Sequence, residues 1–429
     1  MSGYIDSYYS RTLISAPAYP SLEETLETDV CVIGGGLAGL ATALGLAERG
    51  KRVALLEARR IGWGASGRNG GFCLSGFAAS PEALIKKTGL SHARALFLLT
   101  KQAQKLIRRR IKDYAIPCDP VDGSVVAWWY DDADAVWRKR DYYAEKLGES
   151  AEVWPREKTR EMYVTRRYYE ALFFPENLHL HPLRYVQGIA AALQARGGLI
   201  FEDSPVVQVE RDSDPKIIHT EKGKIKAEHV VFCGSAYFVN RPEKKLASAC
   251  LPIATYVMVT EPIAPELFQS AIRAPYALRD SRYADDYYRP LPDGRLLWGG
   301  RIGMGRDPAD LAGELRRDMV RIYPQFRDVR VDIAWSGVMG YTVHRMPLIG
   351  RLAPGVWYCT NFGGNGVGPT TAGGETIAKA IAEGDETYRL FEPFGFAYTG
   401  GLLGPLAAQA VYRSWEFKDW LGEFKNRRG

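Results

Sequence analysis

Apolar runs punctuated by glycine organise this chain from its start. Asp29-Val-Cys-Val-Ile33 is short, apolar and rich in β-branched residues, the pattern of a parallel strand buried on both faces. Gly34-Gly-Gly-Leu-Ala-Gly39 follows directly, Leu40 to Arg49 is dominated by helix formers, and Gly50 supplies the stop. Lys51 to Leu56 reads as a second apolar strand ending at Glu57. Further on, Leu172 to Phe174 is apolar, Ala254 to Glu261 alternates as a strand does, and Tyr287 to Gly300 predicts a hairpin turning at Asp293-Gly294. Pro393 to Tyr412 carries no charge, but its glycines and prolines break it, so it reads as a buried turn leading into a helix rather than a membrane span.

The order strand, glycine turn, helix, strand, acid has a specific chemistry. Gly34 permits the tight turn, Gly36 lets the backbone approach a pyrophosphate, and Gly39 lets the helix pack closely on the strand. The helix start offers N–H donors and a positive partial charge to phosphates. Glu57 can accept from a ribose diol, and its charge repels a 2′-phosphate, which selects FAD or NAD over NADP. A second glycine-rich loop, Gly62-Trp-Gly-Ala-Ser-Gly-Arg-Asn-Gly-Gly71, follows within ten residues and suits a long extended cofactor, which favours FAD.

Composition narrows the remaining classes. The 429 residues are 46% hydrophobic, enough for a large core and two to three domains, and exclude a disordered chain. Net charge is only +6 and scattered, so no nucleic-acid partner is expected. Met1 to Ser15 has no continuous apolar core and is not expected to be a cleaved leader. The six cysteines are widely spaced without a CxxC pair, which points to reduced thiols and a cytoplasmic protein. His179 and His181 form an HxH pair with no third ligand nearby in sequence, so no metal is expected.

The VCVIGGGLAGLATALGLAERGKRVALLEA stretch resembles the FAD-dependent amine and amino-acid oxidoreductases of the D-amino-acid oxidase superfamily. GWGASGRNGG is similar, more narrowly, to the γ-glutamylputrescine oxidoreductase branch, and the resemblance covers nearly the whole chain. It implies an α/β fold: a Rossmann-type FAD-binding domain and a substrate domain on a mixed or antiparallel sheet. The expected division is an N-terminal arm over 1–27, a discontinuous FAD domain over 28–83, 176–250 and 331–429, and a substrate domain over 84–175 and 251–330. Val206 to Val209 and the strand Val230 to Cys233 would return to the FAD domain, with Val207 at the adenine and Gly234 capping near the cofactor. Trp335 to Gly350 resembles the family's last approach to the flavin, and Val356 to Thr371 its C-terminal FAD loop.

The expected cofactor residues are therefore Gly34, Gly36, Gly39, Glu57, Ala65, Ser66, Asn69, Gly70, Val207, Gly234, Gly364, Gly366, Gly368, Thr370 and Thr371. Some family members attach FAD through a cysteine shortly before a Tyr-Thr pair. Here Met339-Gly340 precedes Tyr341-Thr342, so noncovalent FAD is expected. Oxidising a C–N bond by hydride transfer to flavin N5 needs a positioned neutral amine and little acid–base machinery. The candidates around it are Arg68, which could bind a carboxylate, and Arg289 on the roof hairpin, where alternation sends Tyr288 to the opposite face. His344, beside Arg345, and Asn365, where related sequences often carry His, complete the set; Tyr256 is read as packing. The implied substrates are γ-glutamylated polyamines, pipecolate-type cyclic amino acids or N-alkylated amino acids, with dioxygen or an electron carrier as acceptor. Two rival readings are an NAD-linked dehydrogenase, against which the second glycine loop and the C-terminal FAD-like loop argue, and a flavin-binding subunit without turnover, for which the basic tail Lys425-Asn-Arg-Arg428 leaves room for a partner.

Overall fold

The computed structural model describes residues 3–15, 17–237, 243–304 and 307–426. Two sheets organise it. The first has the strand order 348–353, 356–360, 224–232, 25–33, 53–56, 199–201, all parallel except the 348–353 edge. The hairpin Val206–Glu210 and Lys216–Thr220 extends it from Lys224–Phe232. Parallel strands buried on both faces need cover on each side. Helix Leu37–Ala47 is apolar around its whole circumference and every residue of it is buried, as a helix in the middle of a layer must be. Helix Val367–Glu383 packs across it with helices Leu90–Asp113 and Pro182–Ala195.

The second sheet runs 331–341, 251–260, 296–303, 287–290, 277–280, 121–127, 171–179, 72–73, with 152–154 also on 171–179. It is antiparallel apart from the pair Ala277–Asp280 with Val121–Ala127. Its core stacks Tyr288 on Trp298, ring centroids 4.5 Å apart and nearly coplanar, with the Tyr288 hydroxyl 2.6 Å from that of Tyr323. The expected hairpin is present: Tyr287–Pro290 pairs with Leu296–Gly303, and Gly294 has the positive φ (+77°) that its turn requires. Among the described residues no helix is long and apolar enough to cross a membrane.

Three segments lie elsewhere than the sequence suggested. Val331–Tyr341, assigned to the nucleotide part, pairs along its length with Leu251–Thr260 in the second sheet, burying Ile333 and Trp335. Leu90–Asp113, assigned to the substrate part, joins the first core through Ala93, Leu96 and Ile107, and Arg110 donates to Glu48 at 2.7 Å. Pro393 to Tyr412 does turn into a helix, Gly404–Asn426, but Tyr398 and Leu406 stand exposed instead of buried. Residues 427 and 428 of the basic tail lie outside the described residues.

The HxH pair is absorbed by the scaffold. His181 caps helix Pro182–Ala195: its Nδ1 accepts from Arg184 N at 3.1 Å and its Nε2 lies 3.1 Å from the Thr12 hydroxyl. His179 Nε2 donates to Pro275 O at 3.0 Å while Nδ1 faces Arg289. Burial first, then neighbouring arginines, push both rings down to about 3. A ring held neutral in the fold but protonated when unfolded stabilises fully above about pH 6.5, and that stabilisation is lost as the pH falls from there toward 3. His181→Asn, which keeps a capping acceptor, should flatten the acid side of a thermal-unfolding profile below pH 6.5 by up to about 1.4 kcal/mol per pH unit. An unchanged acid slope in this variant would contradict the assignment.

Candidate active site

The first glycine turn is built around one close approach. Gly34 adopts φ +113°, and a Cβ on Gly39 would stand 1.9 Å from the Gly34 carbonyl oxygen, so the helix reaches the strand only because residue 39 has no side chain. Gly39 thus sets the cradle from behind and does not line it. Gly35 N–H donates to Glu57 Oε2 at 2.7 Å and Arg59 N–H to Oε1 at 2.9 Å, which fixes the carboxylate at the end of its strand. Burial raises Glu57 above the usual carboxylate range despite these donors.

The second glycine loop folds over that helix start. Ser66 Oγ accepts from Leu37 N–H at 2.9 Å. Asn69 ties the loop to itself, its Nδ2 donating to Ser66 O at 2.9 Å and its Oδ1 accepting from Gly71 N–H at 2.8 Å. The third glycine segment closes the far end: Gly363 N–H donates to Gly340 O at 2.9 Å, and Asn365 Nδ2 donates to Gly76 O at 2.9 Å. Helices Leu37–Ala47 and Val367–Glu383 both begin at a glycine, Gly36 and Gly366, without a side-chain cap.

These parts converge on one cavity of about 1020 Å³. Gly34, Gly36, Glu57, Ala65, Ser66, Asn69, Gly70, Gly234, Gly364, Asn365, Gly366 and Thr370 all line it. Two uncapped helix starts, open space where a Gly366 Cβ would go, and an inward carboxylate suit an elongated molecule with phosphates and a ribose. The volume, at the top of the usual range for small-molecule sites, leaves room for a second molecule at one end.

Seven expected residues lie off the cavity wall. Gly39, Gly368 and Thr371 serve packing; a Cβ on Gly368 would stand 2.9 Å from Leu74 O, and Thr371 Oγ1 bonds back to Val367 O within its helix. Val207 is 37% exposed on its hairpin strand and turns away. Arg68 lies behind the second loop, its guanidinium 4.1 Å over the Trp63 ring and its Nε donating to Trp63 O at 2.7 Å, and burial lowers its pKa. His344 is held neutral: Nδ1 accepts from Met346 N–H, Nε2 faces Gly395 O at 3.3 Å, and burial lowers its pKa. Arg289, only 2% exposed, clamps backbone, donating to Gly70 O at 2.7 Å and Leu180 O at 3.0 Å. These three are supports for the site, not groups facing it. Tyr256 packs in the second core.

The wall also holds residues the sequence did not single out. Arg279, Asp285, Tyr287 and Arg301 come from the second sheet and its loops, Tyr341 and Arg345 from the strand end and turn after it, and Tyr398, Tyr412 and Trp415 from the C-terminal segment. The alternation argument had the right parity, since Tyr288 is core and Tyr287 faces in. Which of 287 and 289 reaches the cavity depends on where the glycine loop crosses the strand, and no local pattern reports that. Arg301 is already matched by Asp318 at 2.6 Å and Glu314 at 3.0 Å.

Comparison with known proteins places this geometry. Residues 29–380 match the family described as DAO, FAD dependent oxidoreductase. The chain is 34% identical over 428 residues to gamma-glutamylputrescine oxidoreductase of Escherichia coli (strain K12), covering 98% of this chain and 100% of that protein. Glycine oxidase of Bacillus subtilis (strain 168) is 24% identical over 352 residues, covering 75% and 84%. Among solved structures, glycine oxidase from Geobacillus kaustophilus superposes with a TM-score of 0.71 at 21% identity, covering 87% of this chain and 99% of that one. L-proline dehydrogenase from P. horikoshii gives 0.70 at 19%, covering 87% and 100%.

Replacing Glu57 by Ala should weaken retention of the dinucleotide by about 1.5–3 kcal/mol, roughly 10- to 150-fold, because a charged acceptor for the ribose is removed. The ratio of bound flavin to protein after dialysis reads this directly, and an unchanged ratio would remove Glu57 from the site.

Proposed function

The chain belongs to the DAO family of FAD-dependent oxidoreductases, and within it we propose that it oxidises a carboxylate-bearing primary amine of the γ-glutamylputrescine type. It is an FAD-dependent amine or amino-acid oxidoreductase; the finer substrate assignment is our reading. The observation that carries it is that both helix starts that follow a glycine, Glu57, and a set of charged and phenolic side chains from the second sheet and the C-terminal segment all line one cavity.

In this reading the first sheet serves the cofactor and the second roofs the substrate. Backbone N–H groups at Gly36 and Ala38 meet the pyrophosphate, Glu57 the ribose, and the 363–366 loop with the start of helix Val367–Glu383 the flavin ring. When bound, FAD supplies a two-electron acceptor for hydride from the carbon beside nitrogen. The chain's own contribution is to hold the amine in one orientation, to present N–H dipoles where negative charge develops, and to exclude water with Tyr287 and the C-terminal wall. The resulting imine is hydrolysed by water. Met339 lines the cavity beside Gly340, and we take the flavin to be held without a covalent bond. All six cysteines are free thiols, which supports a cytoplasmic setting.

An anaerobic absorbance titration tests the substrate. γ-Glutamylputrescine should bleach the oxidised flavin band stoichiometrically, while L-pipecolate, sarcosine and glycine should leave it; readmitted air then separates oxidase from dehydrogenase. Bleaching by pipecolate or sarcosine instead would move the assignment to secondary amino acids. Acid precipitation should release yellow flavin into the supernatant; flavin retained in the pellet would overturn noncovalent binding.

A further inference from the structure

Three carboxylates lie between the end of strand Ala277–Asp280 and the start of strand Tyr287–Pro290, and only two are in ion pairs with described residues. Asp280 and Asp286 share Arg282, at 2.6 and 2.5 Å, beneath the cavity wall. Asp285, next to Asp286 in the chain, lines the cavity and makes no ion pair with a described residue. Asp285 is only partly buried, yet partial desolvation of a carboxylate that has no ion-pair partner is unfavourable unless something supplies its counter-charge.

Its surroundings have the character of a cation site. Tyr287 from the same segment, Tyr341 from the end of strand Val331–Tyr341 and Tyr412 from the C-terminal helix all line the cavity. Burial foremost, with the Asp285 carboxylate among the nearby charges, raises all three phenols. Phenol rings around an anion favour an alkylammonium over a metal or a neutral group. Tyr341 also fixes the position along the cavity, since a Cβ on Gly364 would stand 2.4 Å from its hydroxyl, at the loop assigned above to the flavin.

The opposite charge is present as well, nearer solvent. Arg279 and Arg345 line the same cavity and are exposed; neither has an ion-pair partner among the described residues, and Arg345 lies 5.5 Å over the Trp415 ring.

We propose that Asp285, with Tyr287, Tyr341 and Tyr412, receives the ammonium of the substrate's reacting end, and that Arg279 and Arg345 receive a carboxylate at its far end. The proposal rests on the function argued above and deepens it: the site selects a primary amine tethered to a carboxylate. Asp285 is a recognition residue: the bound ammonium gives one proton to water before the C–N bond is oxidised and reacts as the neutral amine, and no proton transfer is assigned to Asp285. Burial first pushes it up to about 6, against the opposing pull of Arg279 and Arg282 and reinforced by Asp280; the three phenols complete the groups that face it. Ammonium binding therefore falls as the pH drops below about 6, where the carboxylate is protonated.

The test uses the FAD-loaded enzyme and calorimetric binding of two probes that cannot be oxidised at nitrogen. tert-Butylammonium has no C–H beside its nitrogen, and butyrate has no nitrogen. Wild type should bind both. Asp285→Asn, with unchanged flavin content and melting temperature, should bind the cation about 10- to 100-fold more weakly and butyrate equally well. Arg279→Gln should do the reverse, Asp285→Glu should retain the cation, and the loss of cation binding near pH 6 should vanish in Asp285→Asn. Cation binding by Asp285→Asn at wild-type strength, equal wild-type affinity for neutral tert-butanol, or no cation binding at all overturns the proposal. Asp285-dependent cation binding in an enzyme whose flavin no amine reduces would support this subsite while refuting the function it was built on.

Discussion

The first glycine turn and the helix that follows it are placed by the close approach of Gly39 to Gly34. With no Cβ at residue 39, the first helix lies directly on the turn that precedes it, and its start at Gly36 and Ala38 lines the cavity while Ser66 takes the Leu37 N–H. The rest is arranged around that fixed point. Ser66 holds the second loop against the helix start, Asn69 holds the loop to itself, and Arg289 reaches from the second sheet to hold Gly70. Arg289 therefore couples the two sheets: a roof-sheet side chain determines where the cofactor loop sits. Trp335 does the same from the edge strand of that sheet, donating its indole N–H to Arg68 O at 2.9 Å.

What was legible in the sequence is what local spacing encodes. The strand, turn, helix and acid from Asp29 to Glu57 can be read because each step depends on near neighbours: β-branched residues for the strand, glycine for the turn, a charge at the next strand end. The hairpin at Asp293-Gly294 was legible for the same reason. Long-range pairing was not. Val331–Tyr341 has the composition of a strand in either sheet, and only its register with Leu251–Thr260 decides which. Leu90–Asp113 is an amphipathic helix whose sequence shows an apolar face but not the helix that covers it.

The functional side chains divide along the same line. Backbone-built cofactor contacts follow from glycine positions, and most of those expected do line the cavity. Charged candidates chosen because arginine and histidine are chemically apt proved to be Arg68 on Trp63, Arg289 on backbone carbonyls and His344 on a turn. A buried arginine is expensive unless its donors are met, so those in the interior are taken up by carbonyls, carboxylates and rings, whereas Arg279 and Arg345 on the cavity wall have no ion-pair partner among the described residues. Chemical aptitude identifies the residue type; burial decides which copy of it is left free to act.

The cavity is composite in a way that bears on its assembly in time. Residues 34 and 36–38 form one part of its wall, but the first sheet's 356–360 strand and the wall at Tyr398, Tyr412 and Trp415 come from far later in the chain. At ribosomal speeds of about 5–20 residues per second, roughly 20–70 s separate synthesis of the glycine turn from that of Tyr398. Throughout that interval the nascent chain displays an apolar helix and an incomplete parallel sheet with no enclosed place for a dinucleotide. The cavity wall is therefore complete only once translation has passed residue 415.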